Sequence, residues 1–180
     1  MAAAVNVGQT CPRRLPFEVT SQVTSISKLL AAVTASMWLA FGSTAVAQDK
    51  PLPVTTIVID TDHGPHAFRV EIAADHASQE KGLMFRKQMP PDDGMLFEFP
   101  KPDMEYFWMK NTILPLDIIF IRANGTISSI APDAVPYSTT TIPSIEPVRA
   151  VLELNGGRAA QLGIEPDQVV HNAFFGNGPR

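Results

Sequence analysis

Apolar and polar residues alternate along most of the chain after residue 53, which is the period-two pattern of β-strands. Residues 55–61 are rich in β-branched side chains, and residues 67–73 alternate apolar and charged ones. Turn-forming residues separate these two segments, so together they predict a hairpin. Further strands are predicted over residues 95–99, 106–110, 117–122, 127–130, 150–154 and 169–174.

Two short helices interrupt the strands. Asp75 suits the N-cap of a helix that runs to about Phe85, and Asn155-Gly156-Gly157 leads into a second helix that ends near Gly163. Asn124-Gly125 predicts a tight hairpin, whereas residues 131–147, with four prolines, predict a long surface loop. The pattern therefore predicts a mainly β fold, a single sandwich- or barrel-like domain with two short helices.

The first 47 residues have a different pattern. Residues 29–47 are uncharged and mostly apolar or small, Lys28 precedes them, and Ala45-Val46-Ala47 forms a small-x-small box. The strongly apolar part spans about a dozen residues, which is short for a membrane span. We therefore predict a signal peptide over 1–47, cleaved before Gln48, and a periplasmic or secreted protein without a stable membrane anchor. The mature chain would comprise a lead (48–53), one domain (54–175) and a tail (176–180).

Removal of this segment changes the composition. It takes away Cys11, the only cysteine, so the mature domain would have no disulfide and no thiol nucleophile. It also removes three basic residues and one acidic residue, which changes the net charge from −4 to −6. Because nucleic-acid binding depends on neutralising phosphates with basic side chains, we expect no nucleic-acid partner.

A dense group of motifs follows residue 81. The motifs are Gly82-Leu83-Met84-Phe85-Arg86, Asp93-Gly94-Met95-Leu96-Phe97, Phe107-Trp108-Met109-Lys110-Asn111-Thr112, Pro115-Leu116-Asp117, Val151-Leu152-Glu153-Leu154 and Gly163-Ile164. In order and spacing they closely resemble the family called domain of unknown function 192, over residues 54–174. The resemblance implies a β-rich, sandwich-like single domain without an agreed activity, often found behind a signal peptide. One departure is that Pro166 is followed by Asp167-Gln168, where the family usually has Pro-Gly-Asp.

Four residues near the Phe-Trp-Met-Lys-Asn-Thr motif are candidate ligand-binding residues: Trp108, Lys110, Asn111 and Asp117. If 106–110 is a strand with apolar residues on both faces, it is central in the sheet and its polar end emerges beside Asp117. The tryptophan would offer a stacking surface, and the polar groups would orient a small ligand.

A structural interpretation of the same charges competes with this one. Arg86 and Glu153 are charges embedded in apolar runs, and an isolated buried charge is costly. Ion pairs Lys110–Asp117 or Arg86–Glu153 would then fix strand ends, and Trp108 would belong to the core. The sequence leaves both interpretations open.

Two other function classes remain as alternatives. A hydrolase or lyase could use Lys110 and Asp117, although no familiar nucleophile, phosphate or dinucleotide motif is present. Alternatively, five methionines between residues 84 and 109 could handle Cu(I), although methionine is also ordinary core filler. The histidines supply no spacing for a metal site, so we predict neither a metal nor a cofactor. The favoured function is a non-catalytic binding protein for a small ligand or an envelope partner.

Overall fold

The computed structural model describes residues 51–178. The predicted signal peptide, residues 48–50 of the lead and residues 179–180 lie outside the described residues. The elements in chain order are β1 (Val54–Thr61), β2 (Gly64–Ala73), α1 (His76–Lys81), β3 (Asp93–Asp103), β4 (Tyr106–Phe107), β5 (Leu116–Ile121), β6 (Ile127–Ala134), β7 (Ile142–Pro143), β8 (Val148–Asn155), α2 (Arg158–Leu162), β9 (Val170–His171) and a 3-10 helix (Ala173–Phe175). Within residues 51–178, no helix is long and apolar enough to span a membrane.

Seven strands form one curled sheet, a half-barrel, in the order β6-β5-β8-β3-β2-β1-β9. All neighbouring strands in it are antiparallel except β2 and β3, which are parallel and are joined by a crossover that contains α1. The short strands β4 and β7 pair separately. The prediction of a mainly β, barrel-like fold with two short helices is confirmed.

The sheet buries apolar side chains on both faces, because β5 is buried at every position and β3 and β8 each contain a run of consecutive buried residues. One face packs against α2, through residues such as Ile119, Leu152 and Ala159, and we call it the α2-side core. The opposite face includes Met95, Phe97, Ile118, Phe120, Val151 and Leu83, the last of which follows α1; we call it the α1-side core. The candidate site lies on this second face.

Both predicted hairpins form. Strands β1 and β2 pair through Thr61 and Gly64, and β5 and β6 are joined by the turn that contains Gly125. Gly125 has a φ of +85°, and a Cβ there would lie 2.9 Å from the carbonyl oxygen of Val170. A glycine is therefore required at this turn.

The predicted helix caps are also confirmed. The Asp75 carboxylate accepts a hydrogen bond from the Ser78 N–H, and the Ser78 hydroxyl accepts one from the Asp75 N–H, which together form a capping box. Helix α1 ends at Lys81 rather than at Phe85, because Gly82 has a positive φ of 47°. Helix α2 ends at Leu162 and is capped by Gly163, which has the left-handed conformation that favours glycine.

Three strand or loop predictions need correction. The predicted strand 106–110 is only two residues long and lies in the small β4–β7 sheet, so it is not central. The predicted loop 131–147 contains the end of β6 and the whole of β7. The last strand stops at His171, where Asn172 begins the 3-10 helix by accepting a hydrogen bond from the Phe174 N–H.

Candidate functional site

A cleft of about 630 Å³ opens on the α1-side face of the sheet. Helix α1 and the loop after it form one wall, and β4 with the loop after it forms the other. Phe97 and Glu153 come from the sheet and lie between the walls. The lining residues are His76, Gln79, Glu80, Lys81, Gly82, Leu83, Met84, Phe97, Phe99, Glu105, Tyr106, Phe107, Trp108, Lys110, Asn111, Thr112 and Glu153.

The α1 wall is fixed to the sheet by polar and steric contacts. The Gln79 amide donates hydrogen bonds to the carbonyl oxygens of Ala73 (3.3 Å) and Glu98 (2.9 Å). At Gly82, a Cβ would lie 3.2 Å from the ring of Phe97, so the chain passes close over this ring. The Gly-Leu-Met-Phe-Arg motif therefore sets the position of this wall.

The opposite wall is built by the segment Tyr106–Thr112. Its exposure alternates, because Phe107 is half-buried and Met109 fully buried, whereas Tyr106 and Trp108 are exposed by 64% and 49%. The backbone N–H of Met109 donates to the carbonyl oxygen of Ser138 (2.9 Å), which ties the segment to the loop before β7. The alternation that the sequence predicted is present, although it arises from a short strand and a turn.

Asn111 joins the two walls at one end of the cleft. Its carbonyl oxygen accepts a hydrogen bond of 2.9 Å from the N–H of Phe85, and its side-chain amide lies 3.8 Å from the Met84 sulfur. Asn111 and Phe85 both have positive φ, 58° and 64°. Asparagine adopts this conformation more readily than most residues do, so its place in the motif has a backbone reason.

Lys110 lies at the rim of the cleft beside Trp108. Its ammonium is 5.1 Å from the centroid of the tryptophan ring, within the range of a cation–π contact. The outer part of this wall therefore combines an accessible indole face with a positive charge.

Glu153 lies at the floor of the cleft and is 5% exposed. Its neighbours across the two adjacent strands are Met95 and Ile118, both apolar and buried. No side chain or backbone group within residues 51–178 forms a hydrogen bond or an ion pair with the Glu153 carboxyl. Burial alone raises the pKa of Glu153 to about 8. The floor of the cleft thus holds a carboxyl group that is neutral for the most part at pH 7 and has unused hydrogen-bonding capacity.

The structure brings three of the four candidate ligand-binding residues together in the cleft: Trp108, Lys110 and Asn111. Asp117 lies on the opposite face, where its carboxylate accepts hydrogen bonds from the backbone N–H groups of Asp133 (2.9 Å), Gly157 (3.0 Å) and Ala159 (2.8 Å). The Lys110–Asp117 ion pair is therefore wrong, and so is an enzyme mechanism that uses both groups. That the other three residues bind a ligand stays a prediction.

The predicted Arg86–Glu153 ion pair is also wrong. The Arg86 guanidinium forms a bidentate pair with Glu71, with Nη1 2.6 Å from Oε1, and this pairing lowers the pKa of Glu71. Glu71 and Glu153 lie on the same face of the sheet, in register with Met95 on either side of it. Arg86 therefore reaches the nearer acid, and Glu153 remains without a cation.

The methionines differ in their exposure to solvent. Met95 and Met109 are fully buried in the α1-side core, which is the ordinary packing role of methionine, whereas Met104 is 37% exposed. In the part of the chain that the structure describes, no group of three or more histidine, cysteine or acidic side chains is arranged to hold a metal ion.

The sequence did not identify the acids and aromatic residues that complete the cleft. Glu105, Tyr106 and Phe107 reach it from the opposite wall, and His76 reaches it from α1. Glu153 was recognised as a charge in an apolar run, but its partner was assigned incorrectly. The available indication was that Val151-Leu152-Glu153-Leu154 is apolar on both sides of the acid, which is typical of a strand that is buried on both faces.

Comparison with known protein families confirms the resemblance that the sequence motifs predicted. The model of the DUF192 family, described as an uncharacterised ACR, matches residues 57–172. None of the curated proteins compared with the chain matches it.

Two crystal structures of bacterial proteins share the fold. A protein of Sinorhizobium meliloti 1021, described as a candidate transcription regulator, is 43% identical over 71% of this chain and 99% of its own, with a TM-score of 0.69. A protein of unknown function from Novosphingobium aromaticivorans DSM 12444 is 42% identical over 73% of this chain and 99% of its own, with a TM-score of 0.66.

Proposed function

The chain belongs to the DUF192 family, and we propose that it is a non-catalytic binding protein that holds a small ligand in the cleft above Glu153. The single observation that carries this proposal is the Glu153 carboxyl, which is buried at the floor of an open cleft without a partner among the described residues. A buried polar group is costly unless it is hydrogen-bonded. A ligand that reaches the floor would supply the missing bond.

The walls supply the rest of a small-molecule site. Binding sites of this kind are mostly apolar, with a few polar groups that fix the orientation of the ligand. Phe97, Phe99 and Phe107 provide apolar surface here, and Trp108 offers an accessible ring at the rim. Asn111 is a polar group beside it, and Lys110 adds a positive charge at the rim.

The proposed location follows from the first 47 residues. The apolar run and the Ala45-Val46-Ala47 box support export with cleavage before Gln48, so the ligand would be a small molecule or an envelope component that the exported domain meets. The Sinorhizobium protein is described as a candidate transcription regulator. The acidic net charge of the present chain, in contrast, disfavours contacts with the phosphates of a nucleic acid.

Native mass spectrometry of the protein recovered from its own compartment tests the proposal. We expect a co-purifying small molecule on the wild type, and its loss from Trp108→Ala, because Trp108 is an accessible ring of the cleft. Tyr137→Ala is the matched control, since Tyr137 is also an exposed aromatic residue, at 60%, but does not line the cleft. Equal occupancy in all three proteins, or no bound molecule on the wild type, would contradict the proposal.

Asn111 needs a different substitution. Its φ of 58° strains an alanine, so Asn111→Ala would mix a backbone effect with the loss of the side chain. Asn111→Gly removes the amide and keeps the conformation. We expect this variant to lose bound ligand while its melting temperature stays within a few degrees of that of the wild type.

A further inference from the structure

The chemistry of the cleft indicates a class of ligand, on the premise that the proposed function holds. We propose that the cleft recognises an organic cation, with an ammonium or guanidinium group directed at Glu153 and an apolar or aromatic body between the two walls. Three features of the cleft favour such a ligand: the acid at the floor, the rings of the walls and the charges that surround them.

The acid at the floor lacks the partner that an equivalent acid has. Glu71 and Glu153 both flank Met95 on the same face of the sheet. Glu71 receives two hydrogen bonds from the Arg86 guanidinium, whereas the carboxyl of Glu153 faces the cleft. An ammonium or guanidinium group of a ligand would donate a charge-assisted hydrogen bond to Glu153, as the Arg86 guanidinium does to Glu71.

The rings of the walls suit the same kind of ligand. Phe107 packs edge-to-face on Phe97, with 5.0 Å between the ring centroids, and Phe99 and Tyr106 also line the cleft. Aromatic faces attract cations through their negative quadrupole, and Trp108 already attracts the ammonium of Lys110 in this way. A cation that enters between these rings keeps a favourable electrostatic environment while it loses water.

The charges around Glu153 come from every part of the lining. Helix α1 contributes His76, Glu80 and Lys81, and the opposite wall contributes Glu105 and Lys110; the neighbours of Glu153 on β3 and β5 are apolar. Lys81 already has an interaction partner, and Lys110 lies over Trp108. Neither lysine is paired with Glu153, so a cationic group of a ligand can pair with this carboxyl group at the floor.

The test uses three probes with one phenylethyl scaffold and different head groups: phenethylamine, 2-phenylethanol and 3-phenylpropionate. Each is titrated into the mature protein at pH 8.5, with affinity measured by calorimetry and position by the amide resonances of the cleft residues. We expect phenethylamine to bind at least about tenfold more tightly than the alcohol, and the carboxylate to bind most weakly. The resonances of Glu153 and Phe97 should shift.

The pH dependence gives a second readout. Because the empty cleft holds a protonated Glu153, binding of an ammonium releases a proton below about pH 8. Phenethylamine should therefore bind more tightly as the pH rises from 6 to 8, by up to about tenfold per unit, and the gain should level off above pH 8. His76 is the histidine that lines the cleft, so His76→Gln is the control that should leave this dependence in place.

Two variants separate the role of Glu153 from general packing. Glu153→Gln keeps the shape of the side chain, and we expect it to remove both the preference for the amine and the pH dependence, while binding of the alcohol remains. Lys110→Gln removes a competing positive charge at the rim, so it should tighten phenethylamine binding by about threefold.

Other outcomes would overturn the inference. If the alcohol or the carboxylate shifts the cleft resonances and binds as tightly as the amine, the cation is the wrong class while a ligand-binding cleft stands. If none of the probes binds, the cation class is also wrong, and the co-purification experiment on Trp108→Ala and Tyr137→Ala decides the proposed function separately.

Discussion

Asp117 and Glu153 are two buried acids on neighbouring strands, but their surroundings differ in kind. They lie one register position apart, because Asp117 pairs with Leu154 and Ile118 pairs with Glu153. Successive side chains of a strand point to opposite faces, so Asp117 enters the α2-side core and Glu153 the cleft. The Asp117 carboxylate accepts three backbone hydrogen bonds, whereas the Glu153 carboxyl accepts none within residues 51–178.

The difference separates a structural acid from a candidate functional one. Asp117 joins the end of β6 to the start of α2, and every one of its bonds is internal to the fold. Glu153 contributes no such connection, and its burial is costly in the absence of a ligand. Burial by itself therefore does not distinguish the two roles; the partners of the carboxyl do.

The largest expected effect concerns Asp117. Asp117→Ala leaves three backbone N–H groups without their acceptor, so the free energy of unfolding should fall by about 4–5 kcal/mol, measured by urea denaturation at pH 7. Asp117→Asn is the milder control, because it keeps one acceptor oxygen and should cost less. A loss below about 1 kcal/mol for the alanine variant would mean that Asp117 is not the connection between β6 and α2.

Glu153 should make the folded protein less stable as the pH rises, whereas Asp117 stabilises the fold. Because burial raises its pKa in the folded protein to about 8 from the ordinary value of 4.5, the folded state holds this proton more tightly than the unfolded state. The stability of the wild type should therefore decrease as the pH rises from 5 to 8, by about 3–4 kcal/mol from this group, and level off above pH 8. Glu153→Gln should remove that decrease. Parallel pH profiles for the two proteins would show that Glu153 does not carry it.

Glu71 differs from both acids, because it lies on the same face as Glu153 but forms an ion pair with Arg86. The Arg86 guanidinium lowers the pKa of Glu71, so this pair stabilises the fold above the unfolded pKa and ceases to do so as the pH falls. The pair is partly exposed, so Glu71→Gln should cost about 1 kcal/mol at pH 7 and less at pH 3, as measured by thermal unfolding. A cost that stayed the same at pH 3 would assign the effect to packing instead.

The smallest effect is expected at the rim. Trp108 is half exposed and projects from a short turn, so Trp108→Ala should change the free energy of unfolding by less than about 1 kcal/mol in urea denaturation. A loss above 3 kcal/mol would restore the alternative in which Trp108 is part of the core.

The candidate site could be predicted from sequence only in part. The Phe-Trp-Met-Lys-Asn-Thr motif supplies three residues of one cleft wall, Trp108, Lys110 and Asn111. The prediction of a central strand with apolar residues on both faces did not include the exposure of Trp108. Proximity in sequence suggested that Lys110 and Asp117 are neighbours in space. Residue 117 follows a turn, however, and its side chain enters the opposite face of the sheet, a consequence of register that seven residues of separation do not specify.

The sequence by itself determined much of the local structure of this protein, and it also determined the family to which the protein belongs. Periodicity, turn residues and caps are properties of a few adjacent positions, so the hairpins at residues 62–63 and 124–125, the N-cap of α1 and the C-terminal end of α2 could be predicted. Only the tertiary structure decided which acid is satisfied and which is left open. The partners of Asp117 and Glu71, and the apolar neighbours of Glu153, come from other segments, brought together by strand order, by register and by the parallel crossover through α1.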